Sequence, residues 1–426
     1  MGATVKTRRV LLVCYYFPPL GGAGVGRPLA LFKHLPQYGY ECDVLTVKPV
    51  AYRVFEPELI DGLDTDRIYR SPSWDPQRLL YLLGFRTVGE RFVRRSKAAS
   101  PRFFPDSKTG WVRPAVRLGL RLAAQKRYDA IISTSPPISS HLVGRCLADA
   151  TGLPWIADFR DYWTSYRIED EFADKRSIER AWRLLDSITG ASPPAAITTV
   201  NQAIADYIGQ GEVIYNSFDS ETSRLWKPPT EGSAFTIGLL GTFDELVPVE
   251  PLLRVIAAIR DSEPGLLNKL RLLQVGRVES RWLEALLSRY GLLEICDRLG
   301  FRSRRESVQL LSQASLLYVG LSPSAQGVLP GRLFDLLASG RPILAAVPAG
   351  SEAGRLIAGG GNGYCFDDGD TASINSAADF LAGQLRLWET GRLTITPLSD
   401  YARQFSAERM AEKFARVIGS LGSHRA

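Results

Sequence analysis

The chain has 426 residues and a mass of 47.0 kDa, and about 100–200 residues per domain predicts two domains. At 45% hydrophobic and 23% charged residues, with a mean hydropathy of −0.06, its composition excludes a disordered or fibrous chain. The net charge of +7 is uneven: residues 67–127 hold 15 basic residues against Asp75, Glu90 and Asp106, which predicts an anionic partner for that segment.

Short β-rich apolar runs alternate with helical patterns along the chain. Residues 10–17 read as a strand, 28–37 as a helix and 41–47 as the next strand. Further strands are expected at 128–133, 154–157 and 196–200, with a helix at 141–151. Continuous apolar strands separated by helices indicate a parallel sheet buried on both faces. Residues 216–234 are polar, carry Pro228-Pro229 and read as a linker. The alternation then restarts, with strands at 235–240, 270–275, 316–321 and 342–347 and helices near 250–261, 280–290 and 331–339. Ser303 and Glu306 form a capping-box pattern opening a helix at 306–314. Met410, Phe414, Val417, Ile418 and Leu421 form a helical apolar stripe behind a cap at Ser406. The expected fold class is α/β: two Rossmann-like, doubly wound parallel-sheet domains facing a cleft. They span 1–215 and 235–400, and a C-terminal helix at 401–426 packs back on the first.

Cysteines 14, 42, 146, 296 and 365 are odd in number and contain no CxxC pair, which predicts reduced thiols in a cytoplasmic compartment. His34, His141 and His424 are too scattered for a histidine metal site. The apolar run after Lys6-Thr7-Arg8-Arg9 ends at Pro18-Pro19, so a buried strand is expected there rather than a signal peptide. Lys6 also stands where a myristoylation motif needs Ser or Thr. No stretch of 18 apolar residues is present to span a membrane.

Two segments carry candidate chemistry. Gly21, Gly22, Gly24 and Gly26 follow the first strand. Pro18-Pro19 intervenes, and the second strand ends on Lys48 without a carboxylate, so a nicotinamide-dinucleotide fingerprint is disfavoured. What remains is a loop whose bare amides can approach a phosphate or sugar, or a loop with no ligand; Arg27 beside it meets an anion or is solvated. The second segment, GRLFDLLASGRP at 331–342, opens a helix with Arg332 and carries Asp335 one turn further in. Helix amides and a cation there suit a diphosphate, and Asp335 suits two vicinal ribose hydroxyls; a short helix with a surface carboxylate fits equally.

The segment 331–342 resembles the donor-binding signature of GT-B glycosyltransferases of family 4. FPPLGGAGVGRP near the N-terminus, ISTSPPISSHLVG (132–144), PWIADFRDYW (154–163), VIYNSFD (213–219) and IGLLGTFD (237–244) resemble the family's other elements, in order. The branch it most resembles makes bacterial surface polysaccharides and lipid-linked oligosaccharides. Three departures stand out. Many members carry two glutamates, where this chain has Gly327 and Asp335; many carry His-Asp where Arg160-Asp161 stands; and a lysine after Gly241-Thr242 is missing.

The resemblance implies a retaining transfer from a nucleotide sugar, UDP-linked by preference, to a saccharide or lipid-linked saccharide, without a cofactor or essential metal. It assigns catalysis to Arg160, Asp161 and Arg332. It assigns the donor to Gly21, Gly22, Gly241, Thr242, Arg277, Gly331, Arg332, Leu333 and Asp335, and the acceptor to Arg27, Ser135 and His141. The location it implies is cytoplasmic, peripheral on the inner face of the plasma membrane. A non-catalytic nucleotide-binding scaffold and a sugar-nucleotide epimerase are the alternatives. Asp64-Thr-Asp66 and Asp368-Gly-Asp370 match a metal-binding DxD pattern but lie in polar stretches that read as turns. In the basic segment, Leu79, Leu80, Leu82, Leu83, Phe85, Val88, Phe92 and Val93 interleave with Arg78, Arg86, Arg91, Arg94 and Arg95, ahead of Phe103-Phe104. That pattern suits an anionic membrane surface or an amphipathic core helix with a solvated face. No nucleic-acid module accompanies the charge, so nucleic acid is not expected as a partner.

Overall fold

The computed structural model describes residues 8–22, 24–50, 54–75, 78, 104–161, 175–189, 193–228, 234–241, 243, 247–276, 280–325 and 327–423. The chain divides into two units, Met1–Asn216 with Ala407–Ala426, and Ser217–Ser406.

The first unit is built on strands β1 (Arg8–Val13), β2 (Tyr40–Val47), β3 (Ile68–Ser71), β4 (Ala130–Ser135), β5 (Trp155–Phe159), β6 (Ala196–Thr199) and β7 (Glu212–Val213). They form one sheet in the order β3-β2-β1-β4-β5-β6-β7, with every pairing parallel. Every residue of β4 and β5 is buried, as strands covered on both faces require, the polar Ser133, Thr134, Ser135 and Asp158 included. Val10 of β1 lies opposite Cys42 on one side and Ala130 on the other, so the sheet winds outward in both directions from β1 and β4. Such a reversal opens a crevice at the carboxyl ends of those two strands.

Helix α1 (Gly26–His34) follows β1, α2 (Val112–Gln125) precedes β4, and α3 (Ser139–Thr151) follows it. The strand expected over 10–17 stops at Val13. Cys14 N–H donates a last bond to Leu45 O, and Leu20 N–H closes a turn on Phe17 O. Cys14, Tyr15 and Phe17 stay buried as loop, because Pro18-Pro19 has no N–H with which to extend a ladder. α1 likewise ends earlier than expected: Pro36 cannot donate, and Leu35–Tyr38 tighten into a 3-10 turn closed by Gly39 at φ 83°. The C-terminal helix Ala407–Ser423 packs on α1, burying Met410, Phe414, Val417 and Ile418 in the core of this unit.

The second unit repeats the plan with β8 (Phe235–Leu240), β9 (Leu270–Val275), β10 (Cys296–Arg298), β11 (Leu316–Gly320), β12 (Ile343–Ala346) and β13 (Gly363–Phe366). Their order is β10-β9-β8-β11-β12-β13, again wholly parallel, so the winding reverses between β8 and β11. α4 (Glu250–Ser262) follows β8, α5 (Arg304–Leu311) follows β10, α6 (Leu333–Ala338) follows β11, and α7 (Thr371–Glu389) follows β13. α5 opens with the anticipated capping box: Ser303 Oγ accepts from Glu306 N–H, and Glu306 Oε2 from Ser303 N–H.

The polar segment 216–234 is packed structure up to Pro228. Asp219 caps a short helix at Ser220–Ser223, and Phe218 and Trp226 are buried. An average over mostly polar residues conceals these two apolar anchors. Both DxD patterns are caps within turns: Asp64 accepts from Asp66 N–H, and Asp370 accepts from Ala372 and Ser373 N–H at the start of α7. Of the interleaved basic segment, residues 79–103 lie outside the described residues.

Candidate functional site

In the second unit the backbone closes tightly beyond the carboxyl ends of β8 and β9. Gly241 (φ 124°) follows β8 and Gly276 (φ 140°) follows β9, and a Cβ on Gly276 would stand 1.9 Å from Gly241 O. Both positions need glycine for conformation, and Gly276 also for space. Thr242 and Arg277, expected to serve the donor, lie outside the described residues.

Beyond β11 the chain reaches Gly331, which is exposed, and Arg332, which is half-buried. α6 starts only at Leu333, two residues later than expected, because Leu333 N–H is taken by Pro330 O at 3.0 Å in a turn. The helix has six residues, all buried, so its dipole is short and Arg332 carries most of the positive charge at this end. The Leu333 side chain is core, which leaves it no direct role in ligand contact.

Asp335 is 3% exposed and is not the surface carboxylate of the plainer sequence reading. Arg304, at the first position of α5, grips it with Nε 3.2 and 3.1 Å from the two carboxylate oxygens and NH2 2.6 Å from Oδ1. The same NH2 donates to Ser217 O at 3.2 Å.

The final Gly-Arg-Pro of the motif is structural. Gly340 has φ 68°, and a Cβ there would meet Thr396 O at 2.0 Å. Arg341 is fully buried with no acid paired to it among the described residues; it donates to Ala314 O (2.7 Å), Lys227 O and Ser312 O (both 2.6 Å) and stacks 4.8 Å from the Trp226 ring. Burial lowers its guanidinium to about 10. Arg341 thus fastens the 226–227 stretch to the unit.

In the first unit the amides of Gly21 and Gly22 are not bare. Gly21 N–H donates to Val54 O at 2.9 Å, and Gly22 N–H donates to Glu56 Oε1 at 3.1 Å. A carboxylate of the chain itself holds the place expected for a ligand's anion.

Arg160 follows β5 and is half-buried. Its Nε donates to Ser135 O (2.7 Å), NH1 to Gly24 O (2.8 Å) and NH2 to Pro136 O (3.3 Å). Burial lowers its pKa, with Asp158 opposing. It is a clamp joining the end of β4 to the glycine loop, which corrects its expected role as a cation directed at substrate. Asp161, next in the chain, is half-buried.

Arg27, expected to meet an acceptor anion or solvent, does neither. It is 4% exposed and forms a two-pronged pair with Asp158, Nε to Oδ2 at 2.9 Å and NH2 to Oδ1 at 2.7 Å. Its NH1 donates to Ile214 O and Tyr215 O. Asp158 also accepts from Thr134 Oγ1 (2.7 Å) and Thr198 Oγ1 (2.8 Å). Burial pushes the Asp158 carboxyl up, but Arg27 and these hydrogen bonds outweigh it and leave the pKa below the ordinary value.

Ser135 and His141 are also buried, where acceptor contacts were expected. His141 Nδ1 pairs with Ser133 Oγ at 2.8 Å, its ring lies 4.4 Å from that of Phe159, and burial pushes its pKa down to about 3. Its Nε2, with Ser135 Oγ and Ser140 Oγ, has no hydrogen-bond partner among the described residues. Sequence reasoning missed Arg304, Arg341 and Asp158. Asp158 stood inside the quoted PWIADFRDYW, but Arg304 and Arg341 have partners too distant in the chain for any local pattern to signal. Among the described residues no group of three or more His, Cys, Asp or Glu could hold a metal ion, and no helix is long and apolar enough to cross a membrane.

No family model matches the chain, and no curated protein sequence does. Solved structures do. Sucrose-phosphate synthase from Thermosynechococcus elongatus superposes with a TM-score of 0.62 at 16% identity, covering 98% of this chain and 100% of that one. The fold is GT-B. Anabaena HepE, solved with UDP and glucose, gives a TM-score of 0.59 at 15% identity over 97% of this chain and 100% of its own. WaaG, a glycosyltransferase involved in lipopolysaccharide biosynthesis, gives 0.54 at 13% identity over 96% and 99%.

Proposed function

We propose that the chain is a retaining glycosyltransferase of family 4 that moves a sugar from a UDP-linked donor to a saccharide or lipid-linked saccharide. The observation that carries this reading is the Arg332–Asp335 element beyond β11, at the switch point of the second unit of a GT-B fold. On this reading Asp335 accepts from the ribose hydroxyls, and Arg332 neutralises the diphosphate as it leaves. The glycines at 241, 276 and 331 let nucleotide approach the backbone. The acceptor hydroxyl attacks from the face the diphosphate departs. The UDP and glucose bound to HepE support the donor class, and the role of WaaG in lipopolysaccharide biosynthesis supports the acceptor class.

The first unit takes the acceptor and meets an anionic membrane surface. Arg113, Arg117 and Arg121 are exposed at four-residue spacing on α2, which puts them on one face. None of the three has an ion pair among the described residues, which supports that contact.

A melting-temperature scan with UDP, GDP and ADP tests the donor assignment. A rise with UDP alone is expected, and no rise with any of the three overturns the reading. Stabilisation without turnover would favour a scaffold. Release of an epimer without acceptor would favour an epimerase.

A further inference from the structure

Arg304 is an unspecified position of the Ser303–Glu306 capping box and lies 31 residues from Asp335 in the chain. Its position has three sources. β10 delivers the chain to the edge of the second sheet, the Ser303 cap starts α5, and Arg304 occupies the first helical position. From there the guanidinium covers both oxygens of Asp335, whose side chain is 4% exposed while that of Arg304 is 33% exposed.

A carboxylate has about four lone-pair positions, and a guanidinium fork directs its N–H bonds in one plane. The three Arg304 contacts fall on both oxygens, concentrated on Oδ1, and leave acceptor capacity on the acid. Two donors at fixed angles also restrict rotation of the carboxylate. The same NH2 is bound to Ser217 O, the first residue of the second unit, and the next residue, Phe218, donates its N–H to Phe405 O at 3.1 Å. Through Arg304 the acid is thereby tied to the first residue of this unit, whose neighbour Phe218 is bonded to Phe405 near the unit's end.

We infer that Arg304 is a positioning residue for nucleotide ribose: it fixes the orientation of Asp335 so that the remaining lone pairs accept from two vicinal hydroxyls. This rests on the proposal that Asp335 meets ribose. Arg304 then contributes to donor affinity only through the sugar hydroxyls, while the base and diphosphate are bound independently of it.

The test is calorimetric binding of UDP and of 2′,3′-dideoxy-UDP to the full chain and to Arg304→Gln and Arg304→Lys, with melting curves for all three proteins. Arg304→Gln should weaken UDP about tenfold or more and dideoxy-UDP less than about twofold. Arg304→Lys, which restores the charge but not the fork, should recover part of the UDP loss. Equal weakening of both nucleotides, or of neither, overturns the inference and reduces the pair to a structural ion pair. Failure of the unaltered protein to bind either nucleotide overturns the UDP-donor reading as well, so the two failures are distinguishable.

Discussion

Replacing Arg27 with methionine separates a structural role from an acceptor-binding one. The substitution keeps an unbranched side chain against the Phe414 ring, which lies 4.9 Å from the guanidinium carbon. It strands Asp158, which is fully buried, and takes a donor from Ile214 O and Tyr215 O. Removing one partner of a buried ion pair costs about 3–5 kcal/mol. The threonine hydroxyls of Thr134 and Thr198 still bind Asp158, which argues for the lower half of that range. For a domain of this size the melting temperature should fall by about 6–15 °C.

The loss also has a pH signature. In the native unit the Asp158 carboxyl lies below its ordinary value, so the stability it contributes is present above the ordinary carboxylate range and lost as pH falls through the depressed native value. The variant's penalty should accordingly be largest near neutrality and shrink in acid, where a protonated Asp158 needs no cation. Urea unfolding followed by the fluorescence of buried Trp111 and Trp155 measures both. A penalty below about 1 kcal/mol would refute the reasoning and return Arg27 to a ligand-facing role.

Other outcomes follow from particular residues. His141 is buried and its native pKa is about 3, against about 6.5 when unfolded, so the unfolded chain binds more protons between those values. Stability should fall by up to about 1.4 kcal/mol per unit as pH drops below about 6.5, and His141→Gln should flatten that slope in chemical denaturation. Gly276→Ala forces a Cβ to 1.9 Å from Gly241 O at φ 140°, and should lower second-unit stability by more than about 2 kcal/mol in urea titrations. Arg341→Met leaves the carbonyls of Ala314, Lys227 and Ser312 without this donor, and should cost about 3 kcal/mol by the same measurement. Replacing Arg113, Arg117 and Arg121 together with glutamine should reduce sedimentation with anionic vesicles and leave UDP affinity unchanged.

The two sheets were legible because a strand buried on both faces is predominantly apolar, as β11 and β12 are throughout. Their ends were less so. Cys14–Phe17 is as apolar as β1, and only the missing proline donors show where the ladder stops. α6 starts late because Leu333 N–H closes a turn on Pro330, a choice between two hydrogen bonds that composition does not record.

Within the candidate site, Asp335 and Arg332 could be picked from the local motif, since helix start, cation and acid lie within one turn. The partners of these groups could not. Arg304 and Asp335, or Arg27 and Asp158, meet only after the sheets have formed. The glycine loop shows the same limit in reverse, for its spacing suited an external anion while the anion on Gly22 is Glu56 from the same chain.

The most direct test of the account is nucleoside diphosphate release from a panel of sugar nucleotides with a lipid-linked saccharide acceptor, for the unaltered chain, Asp335→Ala and Arg332→Ala. The account predicts acceptor-dependent release from a UDP-sugar, lost with a raised donor KM in Asp335→Ala and with a depressed kcat in Arg332→Ala. Turnover and donor affinity unchanged in both variants would contradict it.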